Sequence, residues 1–364
     1  MSDRWLAVLG RPDEPTDAVE EYCQYLSEAL STHGIHLESF RVRWNQLGWS
    51  RALGELREKA AEYEANWYLI QYTALAWSKR GFPLRILGFL RTLKKSGRHC
   101  AVVFHDPAPY SGTRMADKIR ASVQLYVMRR VVKQASLSVF TIPIEKVWWL
   151  LKGRSNAVYI PVGANLPNPE TAWDLEHKRK GRTPTVAVYS ITGGASGQIE
   201  VKQIAAAIRY VCQQMGPVRL TVFGRNPDVP EERLREELSG SQAEVLVHGL
   251  LKAEEIVEML SASDVLLFVR GFLSSRRGSA IAGIACGLPV VAREGWETGP
   301  PITDAGVVLV PPTSPDELGP ALLRVLQDGG LRASLRERSR HAQSQYFSWD
   351  AIASKYVAAS RNTE

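Results

Sequence analysis

Short apolar runs recur along this chain, separated by intervals too long for hairpins, and most of the intervals carry a helical pattern. WLAVLG, IHLESFRV, NWYLIQY, CAVVF, LSVFTI and AVYIPVG read as strands in the first half. Between the first two, Val19, Cys23, Leu26 and Leu30 keep a helical spacing until Gly34 stops it. Asp17, with Glu20 three residues later, has the spacing of a capping box at the start of that helix. Strands that alternate with helices need crossover connections, so the pattern implies parallel sheets covered on both faces.

The alternation breaks once. Residues 169–184 carry prolines and charges without an apolar period, and read as a linker. TVAVYS, RLTVFG, VLVHG, DVLLFV, LPVVA and GVVLVPP then restart the series. The expected division is an N-terminal domain over 1–168, the linker, a C-terminal domain over 185–345, and a closing helix over 346–364 free to cross back to the first domain. A length of 364 residues favours two cores over one.

The net charge of +7 calls for an anionic partner, which composition alone leaves open between nucleic acid, acidic lipid and a phosphorylated small molecule. Basic residues recur between Arg85 and Lys133. Within that stretch Met115, Ile119, Val123, Tyr126 and Val127 fall on one helical face, expected to pack on the domain. Arg114, Lys118, Arg129 and Lys133 then form a basic outer face, either simply solvated or a patch for a membrane or an acidic acceptor. Cys23, Cys100, Cys212 and Cys286 are far apart, with no C-x-x-C pair, so neither a disulfide framework nor a zinc site is indicated. No apolar run approaches the ~18 residues of a membrane span. The expectation is a cytoplasmic chain without a bound metal or cofactor, in contact with the inner face of the membrane at most peripherally.

Ligands of open α/β sheets bind outside the carboxyl ends of the strands, so the informative loops follow strands. Those loops begin at Pro12, His105, Gly163, Gly193, Gly224, Gly249, Phe272 and Glu294. The most specific stretch is DVLLFVRGFLSSRRGSAIAGIACGLPVVA, residues 264–292, where an Arg-Arg-Gly-Ser turn opens a helix between two buried strands. Outward N–H groups, a helix dipole and paired arginines suit a diphosphate, which selects Arg277 and Ser279, then Arg276, with Gly278 allowing close approach. The competing reading is a surface arginine pair with Ser279 as the helix N-cap. Gly193 and Gly194 in SITGGASGQ can cradle phosphate or form a hinge or acceptor loop, and Arg225 can add positive charge or be an ordinary loop arginine. Trp67, Tyr68, Tyr72, Trp77, Trp148 and Trp149 read as core aromatics before an acceptor platform.

Over nearly its whole length the chain resembles the retaining GT-B glycosyltransferases of family four. The likeness runs through IPVGAN, VHGLLKAEEIVEMLSASDVLLFV, ACGLPVVA, VLVPPTSPDELGPALLRVLQD and SWDAIASKY, in matching order and spacing. It implies two Rossmann-like α/β domains, their parallel sheets facing a cleft, with the donor nucleotide on the C-terminal domain and the acceptor on the N-terminal one. It implies a nucleotide-sugar donor, transfer of its sugar with retention to a hydroxyl of a sugar, lipid-linked or small-molecule acceptor, a place in polysaccharide or glycoconjugate synthesis, and no nucleic-acid partner. His105, opening HDPAPY, is similar to the family's histidine beside the transferred sugar, with Asp106 in support, and the pair becomes the catalytic candidate. His248 and Gly249 match the position beside the nucleobase, and Thr16 and Asp17 that of the acceptor-side loop. The family's paired glutamates are replaced by Ser274 and Ala282, which leaves Glu294 and Glu297 as the nearest carboxylates for a ribose or sugar hydroxyl. Two alternatives stand beside transfer: a GT-B nucleotide-sugar 2-epimerase, and an inactive GT-B nucleotide-binding protein.

Overall fold

The computed structural model describes residues 3–14, 16–95, 97–173, 182–225 and 230–363. The chain divides into two compact units, Met1–Pro161 with Trp349–Glu364, and Val162–Ser348. Residues 162–168, read from sequence with the first domain, therefore lie in the second unit. Of the expected linker, residues 174–181 lie outside the described residues. The part before them is packed: Trp173 Nε1 donates to the Ala285 carbonyl at 2.9 Å and its ring lies under Arg340.

Unit 1 runs β1 (Asp3–Leu9), α1 (Ala18–Ser31), β2 (Ile35–Arg41), α2 (Trp44–Leu47), α3 (Trp49–Tyr63), β3 (Trp67–Tyr72), α4 (Arg85–Lys94), β4 (His99–Phe104), α5 (Met115–Gln134), β5 (Leu137–Phe140) and β6 (Ala157–Tyr159). All its strands are parallel, in the order β2-β1-β3-β4-β5-β6. Unit 2 runs β7 (Thr185–Tyr189), α6 (Gly194–Met215), β8 (Val218–Phe223), α7 (Pro230–Glu237), β9 (Ala243–Val247), α8 (Ala253–Ser261), β10 (Val265–Phe268), α9 (Gly278–Ala285), β11 (Val290–Arg293), β12 (Val307–Val310), α10 (Leu318–Gln327) and α11 (Gly329–Ala342). Its parallel sheet has the order β12-β11-β10-β7-β8-β9. Read from the other edge that is the Rossmann order, whose switch point lies between β7 and β10; in unit 1 the switch lies between β1 and β3.

Burial follows the sequence pattern. Every residue of the central strands β3 and β10 is buried, apolar but for Gln71, whereas the edge strands β2 and β9 are mixed and partly exposed. Of the six aromatics expected in the core, Trp67, Tyr68, Tyr72, Trp77 and Trp149 are buried, and Trp148 is exposed.

Two local expectations are corrected. Helix α5 turns Gln124, Val127, Met128, Val131 and Val132 inward, while Met115, Ile119 and Tyr126 face solvent. The helix has two apolar stripes, and the sheet takes the valine one; Val123, between them, is half-buried. At α1, Asp17 caps as expected, its Oδ1 accepting from the N–H groups of Val19 and Glu20 at 3.1 and 3.3 Å. Glu20 does not complete the box; its carboxylate goes to Arg41 at 2.8 Å, where a full cation outcompetes a backbone N–H.

The remaining helix, α12 (Trp349–Arg361), belongs to unit 1 and packs on α1. Trp349 stacks on Tyr25 and meets Tyr22 edge-on, and the Tyr22 and Tyr356 hydroxyls pair at 2.8 Å in the interior.

Candidate functional site

The switch point of unit 2 gathers most of the donor-side candidates. After β7 the chain takes a left-handed conformation at Ser190, φ 67°, and Ser190 N–H donates to Phe223 at 2.7 Å. Gly193 then stands at the N-cap of α6 with no side-chain cap. Thr192 N–H is held by the buried carboxylate of Glu200 at 2.7 Å, which fixes the loop from inside the helix. Gly197 is required one turn into α6, because a side chain there would collide with the Thr192 carbonyl. The helix therefore begins close against the end of β7, and its first N–H groups, starting at Gly194, have no capping side chain.

After β10 the second helix end is similar. Arg277, not Ser279, occupies the N-cap position of α9, again without a side-chain cap, because the turn over Ser274–Arg277 is closed by Arg277 N–H donating to the Ser274 carbonyl at 3.0 Å. Ser279 is the second residue of the helix, and Gly278, the first, faces open space. Two uncapped helix dipoles thus point toward the carboxyl ends of the two strands that flank the switch point.

Arginines add to that charge. Arg270, two residues past β10, was not singled out in the sequence because it reads as the tail of an apolar run. Its burial holds the guanidinium below the usual arginine range, with Glu200 acting in the opposite sense and Arg225 pushing it further down. That places Arg270, Glu200 and Arg225 within electrostatic reach of one another. Arg270 Nε is enclosed and has no hydrogen-bond partner among the described residues. The Arg277 head group lies beside Gly271, so it reaches back over the same turn.

Arg276 is differently employed. It makes a two-pronged pair with Glu297, Nε to Oε2 at 2.8 Å and Nη2 to Oε1 at 2.9 Å, and Glu297 is buried. The carboxylate expected to reach a ribose or sugar is therefore spent on locking the loop after β11 to the loop after β10. Glu294 remains exposed at the end of β11. At the other side of the switch point, His248 N–H donates to Val222 at 2.7 Å and the Gly249 carbonyl accepts from Gly224 at 3.1 Å. This brings His248, Gly249 and Arg225 to the adjoining ends of β8 and β9. Ser274 is fully buried with its Oγ unpartnered among the described residues, and Ala282 is buried in α9.

Unit 1 holds a separate cavity of about 210 Å3 at the carboxyl ends of its strands, lined by Arg11, Asp13, Asp17, Arg41, Gln71 and Asp106 among others. It sits at the switch point between β1 and β3. Arg41 was missed in the sequence, where it reads only as the end of a mixed strand. It donates to the Gly10 carbonyl at 3.0 Å and to Asp17 and Glu20 at 2.9 and 2.8 Å, so Asp17 is both helix cap and ion-pair partner. Thr16 is half-buried on the same loop. His105 lies half-buried at the end of β4, its Nε2 2.7 Å from Gln71 Oε1 and its ring edge-on to Tyr22. With the amide oxygen of Gln71 as partner, Nε2 carries the proton and donates it. Asp106 is exposed beside it and lines the cavity.

Residues 191–328 match the family model described as glycosyl transferases group 1. None of the curated proteins matches the chain. Among solved structures, the sucrose-phosphate synthase from Thermosynechococcus elongatus superimposes with a TM-score of 0.71 at 19% identity, over 99% of this chain and 98% of that one. A glycosyltransferase from Rickettsia africae gives 0.67 at 15% identity, over 100% and 98%. Anabaena Alr3699/HepE, in complex with UDP and glucose, gives 0.65 at 16% identity, over 99% and 100%. These likenesses establish the fold, the GT-B plan of two Rossmann-like domains, and the stretch similar to group 1 glycosyl transferases, residues 191–328, lies within the unit that carries the two uncapped helix ends.

Proposed function

We infer that the protein is a retaining glycosyltransferase using a nucleoside-diphosphate sugar, with the diphosphate seated at the β7/β10 switch point of unit 2. The observation that carries this reading is the convergence there of the α6 and α9 N-termini with Arg270, Arg277 and Arg225. The Anabaena protein's complex with UDP and glucose supports the choice of ligand class. When the anomeric C–O bond breaks, the electron pair goes to the diphosphate oxygen, and fixed dipoles and guanidinium groups stabilise that developing charge. An acceptor hydroxyl bonds to the anomeric carbon on the same face, and its proton passes to the departing phosphate oxygen. Ser279 and Gly278 offer further N–H and hydroxyl donors, Gly193 and Gly194 line the other side, and His248 with Gly249 stands beside the base.

Unit 1 is the acceptor side in this reading. Thr16 and Asp17 border the acceptor, and His105 Nε2–H orients a sugar hydroxyl or stabilises charge at the reaction centre, with Asp106 in support. Exposed Glu294 takes a donor hydroxyl. Metal is not part of the reading, because arginines carry the charge. The setting is the cytoplasm, in polysaccharide or glycoconjugate synthesis, with the acceptor a sugar, a lipid-linked sugar or a small molecule.

Thermal shift against UDP, GDP, ADP and TDP identifies the base, and incubation of the matching sugar nucleotides with candidate acceptors reads transfer. Arg270→Ala and Arg277→Ala should each weaken nucleoside-diphosphate binding about tenfold to a hundredfold, the loss of hydrogen bonds to a charged group. Unchanged affinity in both variants sinks the site. A sugar nucleotide altered without acceptor would instead identify an epimerase, and binding without turnover an inactive receptor.

A further inference from the structure

The outer face of α5 combines two properties that a merely solvated helix does not need together. Met115, Ile119 and Tyr126 are 71%, 56% and 49% exposed, and they recur at intervals that place them on one stripe. Lys118, Arg129 and Lys133 flank them, all exposed. The Arg130 guanidinium lies 5.4 Å from the Tyr126 ring centre, so apolar and cationic groups are interleaved. The only acid of the helix, Asp117, is half-buried and turned to Arg114 N–H and Arg120.

A second exposed apolar and basic cluster is tied to α5 through the loop that begins with His105. Gln124 of α5 accepts from Tyr110 N–H at 2.7 Å, and Trp149 donates to the Pro107 carbonyl at 2.6 Å. The loop that begins with His105 is therefore clamped between α5 and the turn that carries Trp148 and Leu151, which are 62% and 65% exposed. Lys152 follows them, also exposed. Large apolar side chains fringed by lysine and arginine are what an interface with acidic lipid headgroups binds, the rings and aliphatic chains entering the headgroup boundary and the cations meeting the surface charge. No helix among the described residues is long and apolar enough to cross a bilayer.

We propose that this face of unit 1, the outer stripe of α5 with the Trp148–Lys152 turn, docks on the surface of an anionic lipid bilayer. Only its consequence rests on the acceptor reading above: docking there would bring the unit that carries His105 to the surface where a lipid-borne acceptor lies. The lipid contact itself is tested without any turnover.

Sedimentation of the full-length chain with vesicles of phosphatidylcholine, alone or with about one third phosphatidylglycerol, reads it directly. The chain should pellet with the anionic vesicles, weakly or not at all with the neutral ones, and should be released as salt rises from ~50 to ~500 mM. The double variants Ile119→Glu/Tyr126→Glu and Arg129→Glu/Lys133→Glu should each lose about tenfold or more in partitioning. Their melting curves and circular dichroism without ligand should match those of the unaltered chain, which shows unit 1 folded, and their thermal shift with nucleoside diphosphate should match too, which shows the same of unit 2. No pelleting with anionic vesicles, or pelleting unchanged in both variants, overturns the proposal. So does a dimer in sedimentation velocity that Ile119→Glu/Tyr126→Glu converts to monomer without any vesicle binding, since the face would then belong to a second copy. Failure of the glycosyltransferase reading would show separately, as absent transfer in a chain that still binds vesicles.

Discussion

Replacing Glu297 by Gln tests whether the loops after β10 and β11 are one rigid body. The carboxylate is 4% exposed and both its oxygens are taken by Arg276. Removing its charge leaves the guanidinium facing a neutral amide in a largely dry site. Breaking a buried pair from one side costs about 3–5 kcal/mol. The Arg276 side chain, 18% exposed, recovers part of its hydration, so the lower end applies, about 3 kcal/mol. For a unit of this size each kcal/mol moves the melting temperature by about 2–4 °C, which gives a fall of about 6–12 °C. Calorimetry at neutral pH reads it as a shift in the transition that nucleoside diphosphate stabilises. Because the cost lies in the orphaned cation, Arg276→Met in the same chain should recover much of it, with a coupling of at least about 1.5 kcal/mol between the two changes. A shift under 2 °C for Glu297→Gln, or strict additivity of the two substitutions, would refute the argument that the pair holds the loops together.

Three further outcomes are expected. Gly197→Ala should destabilise unit 2 by about 1–3 kcal/mol and weaken nucleoside-diphosphate binding, since the new methyl collides with the Thr192 carbonyl, while Gly278→Ala, which meets open space, should fold normally; titration calorimetry and melting curves separate the two. Tyr356→Phe leaves the Tyr22 hydroxyl buried without its partner, so it should cost about 1–3 kcal/mol and, through the Tyr22 ring, lower kcat while KM for the donor holds; equal effects on both constants would count against a positioning role for the pair. Burial pushes the Cys100 thiol from 9.0 to about 12, so the thiol stays protonated in the fold; its contribution is complete below pH 9 and is lost as pH rises from there through 12. Stability should fall over that alkaline range, with a shallower slope in Cys100→Ala, and a thiol reagent at pH 8 should leave the native chain unlabelled.

The strands were legible because each is a run of apolar or alternating residues between helix-period segments. Asp17 was legible as a cap from its place before Val19 and Cys23. Arg270 and Arg41 were not, because their importance comes from which strand ends adjoin, and order in a sheet is not written in any one segment. Glu297 could be found as a carboxylate but not as the partner of Arg276, a contact across 21 residues made by two loops. Helix α5 was misread for a physical reason: two apolar stripes compete for one sheet, and periodicity cannot choose the buried one. The short α2 and α7 carry too few apolar positions for a period to emerge.

Unit 1 is interrupted in sequence by the whole of unit 2, and α12 supplies the partner for Tyr22 and Tyr25. During synthesis the ribosome makes α1 more than three hundred residues before Trp349 emerges. The first unit to be made is thus the last to be completed, and until then α1 shows an aromatic face with nothing to cover it. Domains otherwise close in order of synthesis. Residues 1–161 expressed alone should therefore need 349–361 joined to them, and the nascent chain must be kept from aggregating through that face while unit 2 folds.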